Sequence, residues 1–146
     1  MEKKIAVYIC TGCGIGDALD MEKLTEVVNE EGSAAICKTH GNLCGQEGLE
    51  LIKKDMADEG VNTIVVAACS PLMHEKTFRN VTQSAGLNPY QCEIANIREQ
   101  CSWVHKDKEK ATSKAKKIVK SIVQKVLRNE SLEPISVPVT KRALVI

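Results

Sequence analysis

The sequence predicts an α/β fold: an open, mostly parallel four-stranded sheet with helices on both faces and a long C-terminal helix. Short apolar segments alternate with longer segments whose apolar residues have helical spacing. The 146 residues suit one domain, and 43% of them are hydrophobic. Right-handed crossovers between parallel strands would place helices on both faces of the sheet.

The first half of the chain predicts two strands, each followed by a helix. Ile5–Cys10 is an apolar run that ends in a Gly-rich turn, which is typical of a buried strand. Aspartates then offer caps for a helix that ends at Glu31-Gly32. Residues 34–38 form the second predicted strand, and residues 46–59 form a helix that Gly60 ends.

The second half repeats this alternation. Residues 63–69 carry no charge and predict the third strand. Ser70 and Pro71 suit the cap and the first turn of the next helix. Residues 90–95 predict the fourth strand, and residues 107–129 predict a long helix. The apolar stripe of that helix consists of Ala111, Ala115, Ile118, Ile122 and Val126.

Residues 131–146 are predicted to lie outside an α/β module of residues 1–130. Pro134 and Pro138 punctuate an extended linker. Residues 143–146 predict the first strand of a further domain, of the kind that opens a dinucleotide-binding fold. We therefore expect the chain to be part of a longer polypeptide.

Charge and hydropathy argue against two function classes. The net charge of +1 gives no electrostatic basis for binding nucleic acid, and acidic residues interleave with the lysines of the long helix. No apolar run reaches the ~18 residues of a membrane span, and the N-terminus lacks the apolar region of a signal peptide. We expect a cytoplasmic protein with no direct membrane insertion.

Seven cysteines are the most informative feature of the composition. Loops at the carboxyl ends of parallel strands share one edge of a sheet, so cysteines at those ends converge. Clustered thiols in a reducing compartment bind metal or carry out redox chemistry, and four thiolates hold a [4Fe–4S] cluster. Cys37 and Cys92 lie within strands and are interpreted as structural. The five cysteines at strand ends are Cys10, Cys13, Cys44, Cys69 and Cys101.

Two other functions fit parts of this pattern. Cys10 and Cys13 form a CxxC motif that a thiol–disulfide enzyme would use beside a helix N-terminus, although the remaining cysteines are then unexplained. Converging thiols would also hold zinc in a scaffold that docks partner subunits. The glycines at positions 12, 14 and 16 do not have dinucleotide-binding spacing, so we expect them to allow a close approach of the backbone.

Three residues near the cysteines have two interpretations each. His74, one helical turn after Cys69, is interpreted as a helix-surface or capping residue. The other interpretation is a role at the site, as a hydrogen-bond donor or an alternative ligand. Arg98 and Trp103 flank Cys101. Arg98 offers a positive charge to offset a cluster and Trp103 would shield it from water, while packing or a partner surface explains both equally well.

Three segments carry a family resemblance. Residues 65–79 are VVAACSPLMHEKTFR, residues 85–104 are AGLNPYQCEIANIREQCSWV, and residues 133–146 are EPISVPVTKRALVI. These segments resemble the N-terminal region of the heterodisulfide reductase A subunits and their relatives. Those relatives include flavin subunits of the quinone-interacting membrane-bound oxidoreductase complexes. The resemblance covers essentially the whole chain.

The resemblance implies an electron-transfer module of an oxidoreductase, which binds one [4Fe–4S] cluster and relays electrons rather than catalysing a reaction itself. It implies FAD in the full-length protein only, and other subunits of an electron-transfer complex as partners. Cys44, Cys69 and Cys101 match ligand positions of the family. The fourth ligand comes from the opening motif, where many relatives have C-x-C-G. Here Cys10 is an alternative to Cys13, and we expect Cys13 because it lies further from the sheet edge.

Overall fold

The structure, a computed structural model, describes residues 2–30 and 34–144. Strands and helices alternate along these residues, as predicted. The strands are β1 (Ile5–Cys10), β2 (Ile36–His40), β3 (Thr63–Ala68) and β4 (Cys92–Asn96). The helices are α1 (Ile15–Ala18), α2 (Met21–Glu30), α3 (Gln46–Asp58), α4 (Pro71–Ser84) and α5 (Lys108–Arg128). A 3-10 turn at Pro89–Gln91 precedes β4, and a π-helical turn at Arg98–Ser102 follows it.

The four strands form one parallel sheet in the order β2-β1-β3-β4. Ile9 near the end of β1 pairs with Thr39 on one side and with Ala67 on the other. The carboxyl ends of β1, β2 and β3 therefore lie side by side at one edge of the sheet.

Helices cover both faces of this sheet. On one face α5 packs against α2 and contacts β3 and β4, and on the other α4 packs against α3 and contacts β4. The two central strands are buried at every residue, and Tyr8 and Phe78 are the largest fully buried side chains of the described core. The predicted fold class is confirmed.

Two strands are displaced by two residues or fewer from their predicted positions. β2 runs from Ile36 to His40 instead of over residues 34–38. This edge strand is only partly buried and includes polar residues, so a change from apolar to polar residues does not indicate where it ends. β4 begins at Cys92 instead of residue 90. The Asn88 side chain accepts a 2.9 Å hydrogen bond from the Tyr90 backbone N–H and so caps the 3-10 turn. The predicted helix end at Glu31-Gly32 lies outside the described residues.

The buried face of α5 is rotated slightly from the predicted stripe. Val119 and Val123 are buried, whereas Ile118 and Ile122 are only partly buried. Asp107 caps the helix, since its Oδ1 accepts hydrogen bonds from the backbone N–H groups of Glu109 and Lys110 at 2.9 and 3.1 Å. The helix thus begins where the sequence predicts.

The segment after α5 contains no helix or strand within its described residues, 129–144. Ala143 and Leu144 are therefore not part of a strand here, and the last two residues of the predicted strand lie outside the described residues. Across the described ranges, no helix combines the length and apolarity that crossing a membrane requires.

Candidate functional site

Four of the five predicted cysteines line one cavity of about 270 Å³ at the carboxyl edge of the sheet. Cys10 ends β1, Cys13 lies in the turn that follows, Cys44 lies in the loop after β2, and Cys69 directly follows β3. We call this space the cysteine cavity. Its other wall residues are Gly41, Asn42, Leu43, Ala68, His74 and Phe78.

The turn after β1 packs directly against the loop after β2. A Cβ atom on Gly12 would lie 2.0 Å from the carbonyl oxygen of Gly41, so the close approach requires glycine. Cys13 adopts a left-handed backbone conformation, with φ at 53°, as does Gly14 at 78°. The turn therefore brings Cys13 to the exposed rim, while Cys10 is buried at the end of its strand.

Asn42 positions the loop that carries Cys44. Its side-chain oxygen accepts hydrogen bonds from the Cys44 thiol at 3.2 Å and from the Gly45 backbone N–H at 3.1 Å. Its own backbone N–H donates to Nδ1 of His40 at 3.1 Å. Sequence reasoning missed Asn42, although an Asn two residues before a loop cysteine is a signal for an Asx turn.

Cys69 is buried at the start of α4. Ser70 caps this helix by accepting a hydrogen bond of 3.3 Å from the Leu72 backbone N–H. Burial raises the pKa of the Cys69 thiol to about 11, and the Arg98 guanidinium opposes this shift. Ionising Cys69 therefore requires positive charge in or beside the cavity.

Arg98 supplies such a charge. Its side chain is buried. It directly follows Ile97, whose backbone N–H donates a 2.9 Å hydrogen bond to the carbonyl of Ala68 on the cavity wall. Its guanidinium carbon lies 4.5 Å from the centre of the Trp103 ring. Hydrogen bonding to Glu99 raises the pKa of Arg98 above its already high ordinary value, so this group is a permanent cation.

The structure places His74 on the wall of the cysteine cavity. Its ring packs edge-on against Phe78, with 6.4 Å between the ring centroids. This position favours the alternative interpretation, in which His74 faces the site.

Cys101 is the one predicted site cysteine that is absent from the cavity wall. It belongs to the π-helical turn, in which the N–H of Ser102 donates to the carbonyl of Ile97 at 3.1 Å. Its side chain is fully buried and does not line the cysteine cavity. Burial raises the pKa of Cys101, partly offset by Lys114 on α5.

The two remaining cysteines lie within strands, away from the cavity wall. Burial raises the pKa of Cys37 to about 11 and that of Cys92 to about 12, so both thiols stay protonated at neutral pH. In the described part of the chain, no group of three or more His, Cys, Asp or Glu side chains has an arrangement that could hold a metal ion.

Comparisons with known proteins give a consistent set of relatives. The chain is 45% identical to a CoB–CoM heterodisulfide reductase iron-sulfur A subunit of Methanopyrus kandleri, over 99% of this chain and 22% of the relative. It is 44% identical to a protein of Archaeoglobus profundus that is named for its likeness to the heterodisulfide reductase A subunit, over 99% of this chain and 21% of the relative. It is 38% identical to the corresponding iron-sulfur A subunit of Methanocaldococcus jannaschii, over 100% of this chain and 22% of the relative.

The chain spans about a fifth of the length of the curated relatives it matches. No protein family model matches it. The identity nevertheless extends over essentially the whole chain, which confirms the resemblance predicted from the motifs. Over the region it spans, this chain belongs to the family of heterodisulfide reductase A subunits.

Proposed function

We propose that this chain is an electron-transfer module of a heterodisulfide-reductase-like oxidoreductase, and that it binds one [4Fe–4S] cluster in the cysteine cavity. The observation that carries the proposal is the meeting of four thiols from three strand ends at one cavity. Similar proteins are named as iron-sulfur subunits of heterodisulfide reductase, which supports the same role.

The residues present fit such a cluster in number and chemistry. Cluster irons prefer thiolate ligands, and a [4Fe–4S] cluster takes four of them. Each thiolate binds a different iron, so the four sulfurs stand further apart than around a single ion. The cavity volume of about 270 Å³ is many times the roughly 10–15 Å³ that one water needs.

We propose Cys10, Cys13, Cys44 and Cys69 as the ligands. This set differs by one residue from the set that the resemblance implies, because Cys10 lines the cavity and Cys101 does not. Cys13 remains a ligand in both sets. The exposed turn and the Asn42-supported loop give Cys13 and Cys44 their positions, while Cys10 and Cys69 are fixed at strand ends.

A bound cluster would supply one-electron transfer without any bond to substrate being made or broken. The residues of this chain hold the thiols, exclude water and compensate charge. Phe78 and Leu43 form an apolar part of the wall. Arg98 offsets the negative charge of the thiolates from the buried side.

The wider assignment is also a proposal. FAD would belong to the full-length protein only, residues 131–146 would link this module to the flavin-binding domain, and other subunits of the complex would exchange electrons with it. A reducing compartment such as the cytoplasm suits the seven free thiols.

Anaerobic reconstitution with iron and sulfide tests the proposal. We expect about four irons and four sulfides per chain with visible absorbance, and loss of both in Cys69→Ser. A folded chain that takes up no iron would overturn the proposal. Uptake of zinc alone would instead support the docking scaffold. Dithiol–disulfide exchange activity that persists in Cys69→Ser would support an enzyme using Cys10 and Cys13.

A further inference from the structure

We propose that Arg98 and Glu99 act as a pair that sets the reduction potential of the cluster in the cysteine cavity, with Arg98 raising the potential and Glu99 lowering it. The inference rests on the proposed function, because it concerns the cluster that the cavity would hold. Arg98 and Glu99 are positioning residues here, since neither is a proposed ligand.

Several contacts fix the guanidinium of Arg98. Its Nε and Nη2 donate to Oε1 of Glu99 at 3.1 and 2.8 Å. Nη2 also lies 3.0 Å from the sulfur of Met73, and the group stacks on Trp103. Arg98 directly follows Ile97, whose backbone N–H donates a 2.9 Å hydrogen bond to the carbonyl of Ala68, and Ala68 lines the cavity. Because its partners surround the guanidinium, the charge stays beside the cavity rather than turning to solvent.

Glu99 brings an opposing charge to the same place. Both Arg98 hydrogen bonds go to its Oε1, while its Oε2 is buried without a hydrogen-bond partner. The backbone N–H of Glu99 donates a 3.1 Å hydrogen bond to Oδ1 of Asn96, the residue that pairs with Ala68 on β3. The two opposite charges therefore lie beside the same part of the cavity wall, at Ala68 and Cys69.

This arrangement determines the direction of the effect on a cluster. Reduction adds one electron, so a nearby cation stabilises the reduced form and a nearby anion destabilises it. Burial strengthens both effects, because the local dielectric is lower than that of water. Removing each charge in turn should move the potential in opposite directions, which a purely structural role does not predict.

The test is a potentiometric titration of the reconstituted chain with dithionite, followed by electron paramagnetic resonance. We expect Arg98→Gln to shift the reduction equilibrium at least tenfold toward the oxidised cluster, which is ~59 mV for one electron. Glu99→Gln should shift the reduction equilibrium toward the reduced cluster.

The matched control is Arg79→Gln. Arg79 also pairs with a glutamate, at 2.7 Å, and lies over an aromatic ring, at 5.0 Å, but its charge acts on Cys92 outside the cavity.

Arg98→Lys provides a second test of the proposal if Arg98→Gln does not fold. It keeps the charge and loses the flat stacked group, so a potential close to wild type supports the inference. Equal shifts in Arg98→Gln and Arg79→Gln, or shifts of the same sign in Arg98→Gln and Glu99→Gln, would overturn it. Failure of the wild-type chain to take up iron would instead count against the proposed function itself.

Discussion

The buried hydroxyl of Tyr8 on β1 donates a 3.0 Å hydrogen bond to the carboxylate of Asp55 on α3. Lys38 on β2 pairs with the other oxygen of Asp55 at 2.6 Å. Since both Tyr8 and Asp55 are buried, this network joins α3 to β1 and β2. β1 ends at Cys10 and is followed by the turn with Cys13, and β2 is followed by the loop with Cys44. Loss of this network should disturb the cavity as well as lower the free energy of unfolding.

The first prediction concerns Tyr8→Phe. The substitution removes a hydrogen bond to a charged acceptor, and we expect a loss of ~1.5–3 kcal/mol in the free energy of unfolding at neutral pH. Urea denaturation followed by circular dichroism measures it. An unchanged denaturation midpoint would show that the buried hydroxyl makes no net contribution to the free energy of unfolding.

The buried Tyr8 hydroxyl also predicts that the protein loses stability at alkaline pH. Burial, then the charge of Asp55, raise the pKa of Tyr8 well above its ordinary value of about 10. The folded state therefore holds the phenolic proton more tightly than the unfolded state. This contribution is complete below pH ~10 and is lost as the pH rises above it. Wild-type stability should consequently fall more steeply than that of Tyr8→Phe above this pH, and parallel curves would contradict the assignment.

The second prediction concerns the packed glycine of the first turn. In Gly12→Ala the new methyl group meets the backbone of Gly41, and we expect a loss of ~1–3 kcal/mol together with reduced iron uptake. Gly41→Ala is the matched control, because its Cβ atom meets nothing within 4 Å. That variant should stay within about 0.5 kcal/mol of wild type. Equal effects of the two substitutions would show that the close approach is not what requires glycine.

The third prediction separates the two ligand sets. Cys10→Ser should lower the iron content after reconstitution, whereas Cys101→Ala should retain about four irons. Cys101→Ala should lose ~0.5–1.5 kcal/mol of stability, since it empties part of a fully buried site. The reverse outcome for iron would favour the set implied by the family resemblance.

The fourth prediction uses Trp103, the single tryptophan of the sequence. Its ring stacks on Arg98, and Arg98 follows Ile97, which is hydrogen-bonded to Ala68 on the cavity wall. Trp103 therefore lies close to the proposed cluster. Because iron–sulfur clusters absorb light at the wavelengths that tryptophan emits, reconstitution should quench the emission of Trp103. Cys69→Ser treated in the same way is the control and should keep its fluorescence. Equal quenching in both proteins would show that free iron, not a bound cluster, is responsible.

Hydrophobic patterning predicted the sheet, the helices and the meeting of strand-end cysteines. The uncharged run that ends at Cys69 and the apolar run that ends at Cys10 specify buried parallel strands, and strand direction then determines which edge their ends share. Patterning failed to give the bounds of the edge strand β2. Among the described strands, β2 has a neighbour on one side only, and its burial is incomplete.

The placement of Cys101 was beyond sequence reasoning. A π-helical turn has no distinctive apolar period, and its wider hydrogen bonding places Cys101 in the core, away from the cavity wall. Nothing in the spacing of the REQCS segment distinguishes this turn from an α-helical one. For the same reason the stacking of Arg98 on Trp103 was not predicted.

The sheet register has a consequence for how such a chain matures. Cys10, Cys44 and Cys69 meet only when β1, β2 and β3 have paired in parallel, which requires contacts between distant parts of the chain and is intrinsically slow. Metal loading would therefore be the last event of biogenesis, open only to correctly assembled molecules. Once loaded, no one of the three strands could detach without breaking an iron–sulfur bond.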